Sequence, residues 1–259
     1  MEKNEQFIRM NDGHEVFITT FTPQEQTIGH FHILHGMAEH STRYTEFAEV
    51  LCQQGYFVSM HDHRGHGYTA EQNGKLGFFA EQHGFDRVVR DVFEVLHQLK
   101  REHDLPKPVL FGHSMGSFIA RRYMQLHSES LEKVILCGTG ATTLLHLAGN
   151  RLAKQLVKIQ GPQIESKIMN DLSFGSFNKS FKDITTPFDW LCSDKAEVKK
   201  YIDDSKCGFI PTNQFFSDLT DGLLLINKTG ENSRVRPDLP VLFISGSDDP
   251  VGEMGKGVL

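Results

Sequence analysis

The chain has 259 residues, of which 39% are hydrophobic and 23% charged, which is typical of a folded globular protein with a full core. Its 27 Lys and Arg residues are outnumbered by 33 Asp and Glu residues, giving a formal net charge of −6, and this acidity argues against a nucleic-acid partner. No apolar run approaches the length of a membrane span, and residues 1–6 lack the apolar core of a signal peptide. We therefore predict a cytoplasmic protein.

Cysteine and histidine are the residue types that could hold a metal ion. The cysteines are widely spaced, which favours structural thiols over disulfides or a zinc site; they are Cys52, Cys137, Cys192 and Cys207. Histidines cluster between His61 and Gly67, but Arg64 in the middle of this segment opposes a cation. A structural loop is the favoured interpretation. We predict no metal and no cofactor.

Short apolar runs alternate with helical patterns along the first half of the chain. This alternation predicts an α/β fold, a mostly parallel sheet with helices on both faces. The predicted strands span residues 15–21, 30–34, 56–60, 108–111 and 133–138, and the predicted helices span 43–54, 85–101 and 117–124.

The pattern changes over residues 139–237, which separate the fifth predicted strand from the next apolar run at 241–245. A simple strand–helix unit needs far fewer residues. We therefore predict a mostly helical cap at 139–237, inserted between core segments at 1–138 and 238–259. Its first helix is expected to pack against its own domain, with a lipid-facing surface as the alternative. The apolar stripe of that helix is Leu145, Ala148, Leu152, Leu156 and Ile159.

The segment Gly112-His113-Ser114-Met115-Gly116 lies directly between a predicted strand and a predicted helix. Gly-x-Ser-x-Gly in this context is the signature of a nucleophile elbow, a sharp turn that exposes the serine above the end of the sheet. The glycines permit the strained backbone and the close approach of helix and strand. We predict that Ser114 is a catalytic nucleophile.

A serine nucleophile needs donors for an oxyanion and an acid that orients its base. The amide after the nucleophile, that of Met115, is the expected first donor, and the amide of Met37, in the loop after an earlier strand, is the second. Asp248 and Asp249 compete for the role of the acid after the strand at 241–245. Asp249 is favoured because Pro250 fixes the turn that follows it.

The base histidine is expected after one more helix and one more strand. The ten residues after Asp249 contain no histidine, and a crossover to a parallel strand takes at least about ten to twelve residues. We therefore expect that the last strand and helix, together with the base, are missing. No other histidine stands where the fold would place the base; those considered are His35, His40, His61, His63, His66 and His113.

Four segments, taken in order, resemble the monoacylglycerol lipase and lysophospholipase group of α/β-hydrolases, which overlaps the serine aminopeptidase-type hydrolases. They are His35-Gly36-Met37-Ala38-Glu39-His40 with Arg43-Tyr44, Asp62-His63-Arg64-Gly65-His66-Gly67, the segment around Ser114, and Gly246-Ser247-Asp248-Asp249. The resemblance covers nearly the whole chain. It implies that Ser114 is the nucleophile, Asp249 the triad acid, and the Met37 and Met115 amides the oxyanion hole. It also implies that the cap forms an acyl-binding channel. The family's final strand and triad histidine have no counterpart here.

The predicted function is hydrolysis of carboxylic esters of single-acyl lipids, such as monoacylglycerols or lysophospholipids, through an acyl-enzyme on Ser114. Peptide or amide cleavage is one alternative, and a catalytically inactive chain or non-catalytic binding protein without the base is another. The expected partner is a small lipid ester, with transient contact between the cap and a membrane or micelle surface as a further possibility; the oligomeric state is not predicted. Without a further strand, residues 241–245 are expected to form an unpaired apolar edge that favours poor stability or aggregation.

Overall fold

The computed structural model describes residues 1–141 and 144–258, and the side chains of all of these except residues 144 and 145. The described strands form one seven-stranded sheet in the order β1-β2-β4-β3-β5-β6-β7. They are β1 (Glu2–Arg9), β2 (Glu15–Thr22), β3 (Gly29–Leu34), β4 (Tyr56–His61), β5 (Pro108–His113), β6 (Lys133–Cys137) and β7 (Val241–Ile244). Strand β2 is antiparallel to both of its neighbours, whereas the strands from β4 to β7 are parallel.

Helices cover both faces of the sheet. They are α1 (Thr45–Gln53), α2 (Gly67–Asn73), α3 (Gly84–His103), α4 (Met115–His127), α5 (Leu144–Gln160), α6 (Lys167–Phe174), α7 (Lys195–Asp203) and α8 (Asn213–Ile226). None of the helices in the described ranges is long and apolar enough to cross a membrane.

The core lies in separate layers because successive side chains of a strand point to opposite faces. Phe111 of β5 packs with Ala48 and Cys52 of α1. Its neighbour Leu110 packs on the opposite face with Ile119 of α4. This arrangement brings the carboxyl ends of β3, β5, β6 and β7 to one edge, which is where parallel sheets place their sites.

The predicted α/β architecture and all of its strands and helices outside the cap are confirmed, with ends that differ by a few residues. Strand β1 and helix α2 were not predicted. In β1 only Ile8 is buried, so the apolar alternation that reveals a strand is almost absent. Helix α2 spans only seven residues, too few for a helical period to show.

The predicted apolar stripe of α5 is partly wrong. Leu156 is buried, but Ala148 and Ile159 are exposed, and the buried side is completed by Asn150 and Ala153. The side chain of Leu145 lies outside the described residues. The polar Asn150 replaces an apolar residue on this side because its amide donates to the Thr220 hydroxyl of α8 and to an adjacent carboxylate.

Helix α8 falls within the range predicted for the cap, and it packs against α3 and α4 as well as against α5. Phe215, Phe216 and Ile226 are buried in the same cluster as residues of α3 and α4. The division into core and cap at residues 139 and 237 stays a prediction.

Strand β7 is the edge of the described sheet and pairs only with β6. Its side chains are uncovered on both faces, with Leu242 53%, Phe243 47% and Ile244 44% exposed. The unpaired apolar edge predicted at this strand is therefore present, and aggregation through it stays a prediction.

Candidate active site

Ser114 stands in a strained turn between β5 and α4. Its φ of 51° and ψ of −118° are unusual for a residue with a Cβ atom. The glycines on either side make this turn possible. A Cβ on Gly112 would lie 2.4 Å from the Gly116 carbonyl oxygen, and a Cβ on Gly116 would lie 2.2 Å from that of Leu34. The sequence thus folds as the predicted elbow, with Ser114 partly exposed at the carboxyl edge of the sheet.

The two amides predicted to hold an oxyanion flank this serine. Met115 is the first residue of α4, where the N–H has no partner within the helix. Met37 follows Gly36 in the loop after β3, and a Cβ on Gly36 would lie 3.4 Å from the Ser114 Cβ. In the described part of the chain, neither amide donates a hydrogen bond to another protein atom. Both are available for a negatively charged oxygen near Ser114.

Glu39 holds the loop that carries Met37. Its buried carboxylate accepts hydrogen bonds from the Gly36 N–H at 2.6 Å and from the Tyr44 hydroxyl at 2.8 Å, and it pairs with the Arg43 guanidinium. Burial alone would raise the pKa of Glu39, but the hydrogen bond from His113 and the charge of Arg43 hold it well below the usual range. These partners therefore favour the ionised carboxylate.

Helix α7 and the turn that follows it also fix this loop. Ala38 has a φ of 53°, and its carbonyl oxygen accepts hydrogen bonds from the Tyr201 hydroxyl and from the Gly208 N–H, each at 2.9 Å. Residues on and just after α7 thus secure the residue next to Met37. Sequence reasoning quoted Glu39 and Tyr44 only as parts of a motif and missed Tyr201 entirely, because no local pattern links it to residue 38.

Asp249 lies at the same edge of the sheet. Its Oδ1 accepts from the Val251 N–H at 2.9 Å, which fixes the carboxyl group. A Cβ on Gly138, at the end of β6, would lie 3.4 Å from Asp249 Oδ2 and 3.6 Å from His113 Nε2. Asp249 is partly buried, whereas Asp248 is exposed. This position beside the elbow supports Asp249 as the acid, which stays a prediction.

No hydrogen bond joins a histidine ring to Ser114 or Asp249 in residues 1–141 and 144–258. The histidines near the serine have other partners. His113 Nδ1 lies 2.8 Å from the Tyr44 hydroxyl oxygen, and His35 Nε2 accepts from the His63 N–H at 3.0 Å. His40 Nε2 lies 2.7 Å from Asp204 Oδ2. Through these contacts the rings of His35, His40 and His113 hold the neighbouring loops in place.

The histidine-rich segment at 61–67 forms a buried structural loop. Arg64 makes two hydrogen bonds to the buried Asp91 carboxylate, at 2.5 and 3.0 Å. His61, His63 and His66 are buried, and the His66 Nδ1 bonds the Arg64 carbonyl oxygen. Among the described residues these three rings do not form a group with ligand atoms close enough for one ion.

Together these features define a serine hydrolase of the elbow type: a strained serine at a strand-to-helix turn, two open amides beside it, and a carboxylate at a neighbouring strand end. The chain belongs to the family described as serine aminopeptidase, S33, whose profile matches residues 25–257. The α/β-hydrolase fold and the predicted family resemblance are thereby confirmed.

Two named proteins and one solved structure that resemble this chain agree with its assignment to the family. Human monoglyceride lipase is 28% identical over 250 residues, which cover 92% of this chain and 71% of that protein. A probable lysophospholipase L2 of Haemophilus influenzae is 28% identical over 130 residues, covering 50% of this chain and 41% of that protein. The structure of a thermostable carboxyl esterase from Bacillus coagulans in complex with glycerol matches with a TM-score of 0.91 and 29% identity, covering 100% of this chain and 84% of that one.

The role of Glu39 as a positioning residue can be tested with Glu39→Gln. The substitution removes the charge that pairs with Arg43 and disturbs the acceptor for the Gly36 N–H. Because the Met37 amide would then be misplaced, we expect kcat for a small ester to fall about 10- to 100-fold with little change in KM. Glu46→Gln, an exposed change in the first turn of α1, is the matched control. A normal kcat for Glu39→Gln, with only the melting temperature lowered, would assign Glu39 a purely structural role.

Proposed function

We propose that the chain hydrolyses carboxylic esters of single-acyl lipids, with Ser114 as the nucleophile. The observation that carries the proposal is the strained Ser114 with two unoccupied amides beside it. Membership of the S33 family supports serine hydrolase chemistry. The names of the relatives, monoglyceride lipase and lysophospholipase, support a single-acyl lipid as the substrate.

The proposed reaction uses Ser114 and the two amides beside it. Ser114 Oγ attacks the ester carbonyl carbon and its hydroxyl proton passes to water, since no histidine ring of the described residues is hydrogen-bonded to it, while the carbonyl oxygen becomes an oxyanion. The Met37 and Met115 amides donate to this oxyanion, and the N-terminus of α4 adds a favourable field. The intermediate collapses to an acyl-enzyme as the carbon–oxygen bond to the alcohol breaks and the leaving oxygen takes a proton from water. Water, activated in the same way, releases the fatty acid.

Exposed apolar side chains between residues 159 and 172, from the end of α5 through α6, support contact with lipid. Ile159, Ile164, Ile168 and Leu172 are each about half exposed or more, the highest value being 78% for Ile159. Apolar side chains of this size favour transient binding to a membrane or micelle surface, where single-acyl lipids collect. The acyl-binding channel and the cytoplasmic location stay predictions.

A panel of substrates tests the proposal and separates ester from amide cleavage. We expect the chain to release fatty acid from monoacylglycerols and lysophospholipids and to leave aminoacyl-naphthylamides intact. Ser114→Ala is expected to reduce ester cleavage to background, because the nucleophile supplies most of the catalysis. Ser233→Ala, an exposed serine distant from the elbow, is expected to behave as the wild type. Cleavage of the amides alone would contradict the proposal that single-acyl lipids are the substrates.

One observation favours a second candidate function, that of a non-catalytic lipid-binding protein. No histidine ring of the described residues is hydrogen-bonded to Ser114 or Asp249, and a serine without a base is a poor nucleophile. Such a chain would bind a single-acyl lipid without cleaving it. Displacement of a fluorescent fatty-acid analogue by monoacylglycerol, with no release of fatty acid, would establish this second function.

A further inference from the structure

A group of metal-binding side chains lies beside the loop that carries Met37. His40, Asp204 and Cys207 each offer one ligand atom, and these atoms all lie within 4.8 Å of one another. His40 comes from the loop after β3, whereas Asp204 and Cys207 come from the turn after α7. His40 and Asp204 are 164 residues apart in the sequence, which is why the spacing of the histidines and cysteines predicted no such group.

The turn after α7 is built to present two ligands on one side. The Cys207 N–H donates to the Asp204 carbonyl oxygen at 2.9 Å, which closes the turn. The Lys206 N–H donates to Asp204 Oδ1 at 2.9 Å, which leaves Oδ2 facing His40 Nε2 at 2.7 Å. The N–H of the next residue, Gly208, donates a hydrogen bond to the Ala38 carbonyl oxygen. These backbone hydrogen bonds therefore hold Asp204 and Cys207 close to His40 in the absence of an ion.

We propose that His40 Nε2, an Asp204 carboxylate oxygen and Cys207 Sγ bind a zinc ion that links the turn after α7 to the Met37 loop. Imidazole, carboxylate and thiolate are zinc ligands, and the sulfur disfavours Mg²⁺ and Ca²⁺. Three protein ligands leave the fourth tetrahedral position to water.

The geometry needs only small movements. In a tetrahedral zinc site the ligand atoms stand roughly 3.3 to 3.8 Å apart, so His40 Nε2 and Asp204 Oδ2, now 2.7 Å apart, would separate slightly. The other ring nitrogen of His40, Nδ1, lies 2.8 Å from Thr42 Oγ1. Once zinc occupies Nε2, Nδ1 carries the proton and donates to this hydroxyl, as metal-bound histidines commonly do.

Access and charge also suit a cation. The His40 side chain is only 6% exposed, but that of Asp204 is 32% exposed and gives solvent an entry path. Burial, together with the carboxylates of Asp204, Glu39 and Asp62, raises the pKa of the Cys207 thiol to about 12 against the charge of Arg43, so zinc has to displace the thiol proton as it binds. Arg43 is itself paired with Glu39.

Cobalt provides a direct test, because a cobalt–thiolate bond gives a charge-transfer absorption that histidine and carboxylate ligands do not. The purified chain is stripped with a chelator and titrated with Co²⁺, and Zn²⁺ is then added in competition. We expect the absorption to saturate at one equivalent and to disappear on addition of Zn²⁺. Saturating Zn²⁺ should raise the melting temperature by roughly 5 °C.

Substitution of the proposed ligands shows which side chains bind the metal. We expect Cys207→Ser to lose the charge-transfer absorption, and Asp204→Asn to weaken cobalt binding at least tenfold. Cys192→Ser, which removes an exposed thiol outside the group, is the matched control and should bind as the wild type. Far-ultraviolet circular dichroism shows whether each variant is folded. An absorption that is absent in the wild type, survives in Cys207→Ser or requires Cys192 would overturn the proposal. No substrate is involved, so the outcome is independent of the proposed function.

Discussion

The free energy of unfolding is expected to fall steeply as the pH is lowered from about 6.5 to about 5, because a set of histidines is buried uncharged. These histidines line β3, β4 and the loops that follow them: His30, His32, His35, His61, His63 and His66. Their rings contact one another, for example His32 Nε2 with His61 Nδ1 at 3.0 Å. A proton added to one ring would place a charge in the core beside the next ring.

The sign follows from the pKa shifts. Burial lowers the pKa of His30, His61 and His66 to about 3 and that of His35 to about 4. Burial and the neighbouring rings lower the pKa of His32 and His63 well below the ordinary value. The unfolded chain therefore binds more protons below pH 6.5, and stability that is complete above this pH is lost as the pH falls towards the folded-state pKa values.

The size of the effect is comparable to the whole stability of a domain. At pH 5 each buried neutral histidine costs about 2 kcal/mol relative to the unfolded chain. Six such groups would cost roughly 12 kcal/mol, against a total of about 5 to 15 kcal/mol for a typical protein. We therefore expect the chain to unfold cooperatively near pH 5.

Urea denaturation at a series of pH values measures this slope. His30→Gln, which removes one buried ring, should reduce the proton uptake on unfolding by about one proton at pH 5. His97→Gln, a change at an exposed position of α3, should leave the slope unchanged. A free energy of unfolding that is flat from pH 7 to pH 5 would show that these rings are not buried as described.

Gly116→Ala is expected to reduce kcat about a hundredfold or more and to destabilise the chain. The added Cβ would lie 2.2 Å from the Leu34 carbonyl oxygen and 2.7 Å from that of His35. Both are backbone atoms that cannot rotate away, so α4 must shift from β3. This shift moves Ser114 and the Met115 amide relative to Met37, and displacements of about 1 Å at a reacting centre cost about a hundredfold in rate.

Gly149→Ala is the matched control for this prediction. Gly149 lies inside α5, and its added Cβ would only meet Met169 Cε at 3.7 Å, an ordinary contact. Alanine at this position should stabilise the helix by about 0.5 to 1 kcal/mol and leave kcat unchanged. Ester hydrolysis assays and thermal melts of both variants check the pair. A Gly116→Ala variant with normal kcat would contradict the close approach of α4 and β3.

The parts of the site that were predictable from the sequence are those encoded by neighbouring residues. A strand, Gly-x-Ser-x-Gly and a helix follow one another without interruption, so the position of Ser114 and of the Met115 amide could be stated in advance. Met37 and Asp249 were predicted as residues that follow strands, because parallel strands bring their carboxyl ends to one edge.

The parts that were not predictable depend on distant residues. Tyr201 reaches the Ala38 carbonyl oxygen across 163 positions of sequence, and a hydrogen bond of this kind leaves no periodic pattern. Helix α8 lies between the last two strands, and its packing on α3 and α4 as well as on α5 leaves no local sequence pattern. The stripe of α5 was misjudged because the buried Asn150 finds polar partners that the sequence does not reveal.

Site-selective labelling with a fluorophosphonate probe tests the central claim most directly. The probe forms a bond with a serine that can lose its hydroxyl proton, whose oxygen is exposed and whose oxyanion is stabilised, so labelling reports on the activation of Ser114, the elbow and the two amides together. We predict that peptide mapping finds the label on Ser114, and that Ser114→Ala abolishes it while Ser233→Ala does not. Label distributed over exposed serines with no preference for Ser114 would contradict the account.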